Sequence, residues 1–258
     1  MNWKRWTAIT LILGLFWVWR QWPDGKLHVV FCDVGQGDGA VVILGSFQLI
    51  VDTGAYEDKI AKCLSEHMPF WDRKIEVVTL SHSDKDHVGA LPGLKKRFEM
   101  GKIVTVANTG DLIRYSNLSF DILKGSQTNT TAVMKGGSLS NEASIVIRMV
   151  YGGFSVLFTG DMDSANELAL VDSGLLKKTE VLKVSHHGSK YSSAQEFLEV
   201  VRPKMAVISV GARNTYGHPN GDVLIRLETV GAKIMRTDKM GTVEVVSDGK
   251  KTEVLREK

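Results

Sequence analysis

From Leu27 onward, short β-branched runs alternate with amphipathic stretches, and Gly, Pro and Asp punctuate the joins. Leu27–Cys32, Ala40–Leu44 and Phe47–Val51 are apolar runs split by glycine-rich turns, which predicts neighbouring strands of one sheet. A helix is predicted from about Asp58 to Glu66, a strand over Ile75–Leu80 and a second helix over Val88–Phe98. The second half repeats the style. Strands are expected over Ser144–Val150, Phe154–Phe158, Val181–Val184, Met205–Ser209, Lys233–Arg236 and Thr242–Val246. Helices are expected near Ala165–Val171, Ala194–Val200 and Val223–Val230. Two β-rich halves separated by helices predict an α+β sandwich with helices on its outer faces. Gly125–Gly137, rich in Ser, Thr, Asn and Gly, predicts a surface loop close to any site at the strand ends.

The N-terminus breaks this pattern. Lys4 and Arg5 precede the uncharged run Trp6–Trp19, which ends at Arg20 and a Trp22-Pro23-Asp24-Gly25 breaker. No small-x-small cleavage pattern follows, and tryptophans flank the run, so residues 1–25 read as an uncleaved membrane anchor; a signal peptide on a secreted protein and a buried or interfacial helix are the alternatives. Lys4 and Arg5 favour a cytoplasmic N-terminus, which puts residues 26–258, one catalytic domain, outside the cytoplasm. A chain of 258 residues with 43% hydrophobic and 24% charged positions can bury one substantial core. The net charge of +3 permits an anionic substrate without the basic stripe of a dedicated nucleic-acid binder. The two cysteines, Cys32 and Cys63, are far apart in sequence, which argues against a cysteine-rich zinc site and does not favour a bridge between them.

Candidate chemistry gathers at predicted strand ends. In Ser81-His82-Ser83-Asp84-Lys85-Asp86-His87 an extended backbone would put His82, Asp84 and Asp86 on one face, with His87 starting the next turn. Four potential ligands within six residues point to a metal more than to a solvated loop. Thr159-Gly160-Asp161 delivers a carboxylate at a strand end, although taken alone Asp161 or Asp163 reads better as the N-cap of the following helix. Ser185-His186-His187-Gly188-Ser189 and Asn214-Thr-Tyr216-Gly-His218-Pro219 add three histidines. Five of the seven histidines, all but His28 and His67, therefore lie in such clusters.

With Phe31-Cys-Asp-Val-Gly-Gln-Gly-Asp38, Val51-Asp-Thr-Gly54 and Arg236-Thr-Asp238, these motifs run in one order from about residue 27 to the end. In that order they resemble the metallo-β-lactamase superfamily and, within it, the soluble domain of ComEC competence proteins. The resemblance implies a four-layer αββα sandwich and two divalent ions, Zn or Mn. His82, Asp84 and one of His186 or His187 would hold the first; Asp86, His87 and His218 the second; and Asp161 would bridge them. Asp86 and Asp161 would be the catalytic carboxylates. Adjacent residues of a strand face opposite ways, so only one of His186 and His187 is expected to coordinate. Asp38, Asp52 and Asp238 would orient ligands from outside the coordination sphere. Ser189 and Asn214, with Lys190 and Arg213, would meet phosphate oxygens. Gly35-Gln36-Gly37 reads as a tight turn under the metals or as a plain hairpin. Asp84 stands where the superfamily commonly has His, and the third-motif His is missing, with Asn141 and Glu142 in its region. Oxygen-richer ligation favours Mn²⁺ and leaves the first position less well supplied.

The resulting expectation is a ComEC-like nuclease or phosphodiesterase acting through a metal-bound hydroxide on single-stranded DNA or another phosphodiester, at a membrane it meets through its N-terminal segment. A hydrolase of an amide, lactam or thioester bond is the enzymatic rival. A membrane-tethered DNA-binding module without catalysis is the rival from another class.

Overall fold

In a computed structural model of the chain, residues 3–20, 23–126 and 144–256 are described. Helix α1 covers Trp3–Arg20. The domain follows as β1 Leu27–Phe31, β2 Gly39–Leu44, β3 Phe47–Thr53, α2 Glu57–His67, β4 Lys74–Thr79, α3 Lys85–Val88, α4 Leu91–Arg97, β5 Glu99–Val104, β6 Leu112–Tyr115 and β7 Leu118–Lys124. Beyond residues 127–143 come β8 Val146–Tyr151, β9 Phe154–Phe158, α5 Ser164–Asp172, β10 Val181–Lys183, a 3₁₀ turn Ser185–Gly188, α6 Gln195–Val201 and β11 Met205–Ile208. The chain ends with α7 Gly221–Thr229, β12 Lys233–Arg236, α8 Thr237–Met240, β13 Val243–Ser247 and β14 Thr252–Arg256.

The described strands form two mixed sheets of seven, ordered β14-β13-β1-β2-β3-β4-β5 and β12-β11-β10-β9-β8-β7-β6. Each is antiparallel on one side and parallel on the other, where β3, β4 and β5, and β9 to β12, run side by side. Period-two alternation divides the side chains between layers. In β1, Leu27, Val29 and Phe31 enter the core between the sheets, whereas Val30 faces the outer cluster under α2 and α4 with Ile60, Leu64 and Leu94. On the other sheet Leu157, Leu182 and Ala206 meet Phe197, Leu198 and Leu227 from α6 and α7. Buried on both faces, these strands are near-continuous apolar runs, as parallel strands covered by helices must be. The four-layer expectation therefore holds for the domain.

Two expectations change. The predicted helix over Val88–Phe98 is two short helices, α3 and α4, with Pro92 near the start of the second, where a missing N–H costs nothing. Cys32 and Cys63 form a disulfide. Strand β1 and helix α2 pack face to face, bringing the Cα atoms to 5.9 Å, inside the range a bridge needs, although 31 residues separate them. The 18 residues of α1 span only about 27 Å at 1.5 Å per residue. Among the described residues no helix is long and apolar enough to cross a membrane. Its Trp3, Trp6, Leu11, Ile12 and Leu13 are exposed.

Candidate metal centre

The parallel strands of both sheets end at one rim, and the polar clusters sit there. Asp52, near the end of β3, holds an unusual left-handed backbone (φ 57°) and accepts from the Ser81 amide at 2.7 Å and the Ser81 hydroxyl at 2.7 Å. The same carboxylate lies 3.0 Å from His87 Nδ1, and the Ser81 hydroxyl lies 3.0 Å from His82 Nδ1. His187 Nδ1 lies 2.9 Å from the Ser209 carbonyl at the end of β11, with Asp38 Oδ1 3.2 Å away. Every one of these contacts uses Nδ1 and leaves Nε2 aimed inward. Asp38 is itself paired with the buried ammonium of Lys183.

The inward atoms converge on Asp161. His87 Nε2 lies 3.2 Å from Asp161 Oδ1; His82, His186 and His187 Nε2 lie 3.8, 3.8 and 3.6 Å from Asp161 Oδ2. His187 Nε2 is also 3.3 Å from Asp86, and His82 Nε2 is 3.6 Å from Asp84. Asp86, His87, Asp161 and His187 each offer a ligand atom, all within 4.8 Å of one another. His82 Nε2, His87 Nε2, His187 Nε2 and Asp161 Oδ1 are buried without a hydrogen-bond partner. Buried polar atoms are normally satisfied, and four unsatisfied lone-pair donors facing one point fit a divalent cation.

Electrostatics agree. Burial pulls the His187 imidazole down, but the carboxylates of Asp161 and Asp38 outweigh it and raise it to about 9. Burial opposes ionisation of Asp161, yet His87 and His187 hold it well below the usual carboxylate range. Protons on the imidazoles thus balance buried carboxylates wherever a metal does not.

Backbone chemistry makes the convergence possible. Gly37 (φ 130°) would drive a Cβ to 2.2 Å from the Asp86 carbonyl, which accepts from the Asp38 amide. The Gly35–Gly37 segment is therefore a close-approach turn against the ligand loop, not a plain hairpin. Asp84 occupies the N-cap position of α3, so Asp86 and His87 sit on a helical turn and not along an extended strand. His186 and His187 leave β10 on a turn with positive φ, 49° and 54°. Strand alternation does not apply to them, and both approach Asp161: His187 buried beside Asp86, His186 at the rim with its ring 5.8 Å from that of His218. His187, and not His218, lies beside Asp86 and His87 among the described residues. Asp163, not Asp161, is the helix cap, accepting from the Asn166 amide at 2.9 Å.

A family model described as the metallo-beta-lactamase superfamily matches residues 138–212. ComE operon protein 3 of Bacillus subtilis (strain 168) is 28% identical over 263 residues, covering 86% of this chain and 33% of that protein. Recombination protein 2 of Haemophilus influenzae is 31% identical over 253 residues, covering 92% of this chain and 31% of that protein. The metallo-beta-lactamase fold protein YhfI from Bacillus subtilis superposes with a TM-score of 0.59 at 11% identity, covering 86% of this chain and 100% of that one. The chain belongs to the metallo-β-lactamase superfamily. It spans about a third of the length of the curated relatives it matches.

Several superfamily expectations find different work here. Asp238 forms a bidentate pair with Arg236, at 2.9 and 2.7 Å, and does not orient a histidine. Asn214 braces the turn that carries His218, donating to the Gly211 and His218 carbonyls and accepting from the His218 amide. Ser189 is buried, its amide donating to the His186 carbonyl. Asn141 lies outside the described residues. Sequence reasoning missed Ser81, Lys183 and Glu167. Lys183 was visible as a lone cation inside an apolar strand. Buried Glu167 on α5 accepts from the Ser185 hydroxyl and the Ser193 and Ala194 amides, bracing the histidine turn from behind; burial pushes its carboxyl up to about 7.

Proposed function

We propose that the chain is a metal-dependent phosphodiesterase acting on single-stranded DNA or a related phosphodiester. The observation that carries this is the convergence of orphaned Nε2 atoms from His82, His87 and His187 on Asp161, with Asp86 and Asp84 alongside. A mixed nitrogen and carboxylate donor set suits Zn²⁺ or Mn²⁺. Asp86, His87, Asp161 and His187 would hold one ion, and His82, Asp84 and His186, sharing Asp161, the other. Bound ions would supply Lewis acidity toward a phosphoryl oxygen and lower the pKa of water. The protein's own part is to fix the geometry: Asp52 and Ser81 lock the His82 and His87 rings, the Ser209 carbonyl and Asp38 lock His187, and Lys183 neutralises Asp38.

Relatives named for competence and recombination support a nucleic-acid substrate over an amide, lactam or thioester. A net charge of +3 is compatible with a polyanion. The exposed apolar residues of α1 and the disulfide support a domain held at a membrane surface on the oxidising side. Hydrolysis of single-stranded DNA and of bis-p-nitrophenyl phosphate, with Mn²⁺ or Zn²⁺, tests the reading. Cleavage lost in both Asp86→Ala and Asp161→Ala is expected; metal bound with neither substrate cut would overturn it.

A further inference from the structure

Tyr216 has no part in the metal centre, yet it is 70% exposed and its ring is stacked on His218 at 5.9 Å with planes 16° apart. His218 in turn lies 5.8 Å from His186, which reaches Asp161. One exposed aromatic face is therefore held two rings from the candidate metal ligands. Leaving so much aromatic surface in water forfeits burial, and the turn that presents it is heavily braced. Asn214 makes three hydrogen bonds across the turn, and the Asn220 amide donates to the Gly188 carbonyl at 2.8 Å. Gly188 comes so close to Pro219 that a Cβ there would lie 2.6 Å from the proline ring. The neighbouring loop ends in a second exposed aromatic, Tyr191, with the Lys190 ammonium 4.8 Å from its ring centre. That loop is fixed as well, because the Tyr191 carbonyl accepts from the Ser164 amide and hydroxyl. Two loops that touch at Gly188 and Pro219 thus carry a flat ring, a second ring and a cation.

Resting on the phosphodiesterase reading, we propose that Tyr216 is a base-stacking platform. An unpaired nucleobase of a single strand lies on its free face, and the adjoining phosphate is thereby led toward Asp161, with Lys190 available to the backbone. Every base has a π-face, so such a platform holds a strand without reading its sequence, and a pre-braced ring loses little freedom on binding.

The test is anisotropy of labelled oligothymidylate, and of an abasic oligomer of the same length, on the full chain with Ca²⁺ in place of the activating metal. Tyr216→Ala should weaken oligothymidylate binding by about tenfold or more, Tyr216→Phe should bind as wild type, and neither should alter binding of the abasic oligomer. An equal loss on the abasic oligomer, or unchanged binding of oligothymidylate by Tyr216→Ala, overturns the platform while leaving strand cleavage by the wild type intact. A wild type that neither binds nor cuts either strand removes the phosphodiesterase reading and the platform together.

Discussion

At the residue scale the most consequential side chain is Asp52, because a single carboxylate fixes the Ser81 amide, the Ser81 hydroxyl and the His87 ring from a left-handed backbone position. A non-glycine residue in that region costs of order 1 kcal/mol and persists only where its surroundings demand it. Asp52→Ala should weaken metal affinity by about 10- to 100-fold in competition with a chromophoric chelator while leaving the circular-dichroism spectrum unchanged. An unaltered affinity would show that His87 does not need its partner. His187 gives a pH prediction. Its metal-free imidazole titrates near 9 instead of 6.5, so the proton stabilises the folded metal-free protein fully below 6.5, and that contribution is lost as pH rises through about 9. Metal binding must expel this proton, so affinity should climb with pH up to about 9, with proton release visible by calorimetry in two buffers of different ionisation enthalpy.

At the element scale the disulfide ties the end of β1, where the Asp33–Asp38 loop begins, to the middle of α2. Closing a loop of 31 residues removes entropy from the unfolded chain worth about 3–4 kcal/mol, so reduction should lower the unfolding midpoint in denaturant correspondingly. This bridge shows where the sequence stops being legible. Strand and helix positions follow from local periodicity, and Phe154–Phe158 and Lys233–Arg236 were delimited to the residue. Pairing between β1 and α2 is a tertiary fact that spacing along the chain does not encode. The ligand motifs were legible because metal chemistry restricts residue types so narrowly. The approach of both His186 and His187 to Asp161 was not, because it depends on the turn at Ser185–Gly188, whose positive φ angles fall on histidines and carry no glycine or asparagine signature. Strands β5 and β6 escaped the pattern for a different reason. They lie toward the sheet edges, where Glu99, Lys102 and Arg114 are exposed and the alternation is diluted.

At the scale of the molecule, the candidate ligands come from both sheets: His82, Asp84, Asp86 and His87 follow β4, whereas Asp161, His186 and His187 follow β9 and β10. A bound cation would therefore join the two halves of the sandwich across their common rim. Saturating metal at a hundred times its dissociation constant should add about 2.7 kcal/mol of stability. Chelation should then lower Tm by several degrees, with hydrogen exchange loosening first at those strand ends and not in the inter-sheet core. No change in Tm on chelation would mean that the rim is rigid without the ion.

The strand order also sets a timetable. Leu27 pairs with Ser247 and Phe31 with Val243, so β1 has no neighbour on one side until the final hairpin, β13 and β14, has been made. The nascent domain therefore carries an open, valine-rich edge until the residues of β13 have been synthesised, and completion of the first sheet must wait for them. If the domain folds beyond a membrane, that edge has to be kept apart from its own kind during export, which makes a holding chaperone, more than a folding catalyst, the factor that limits yield.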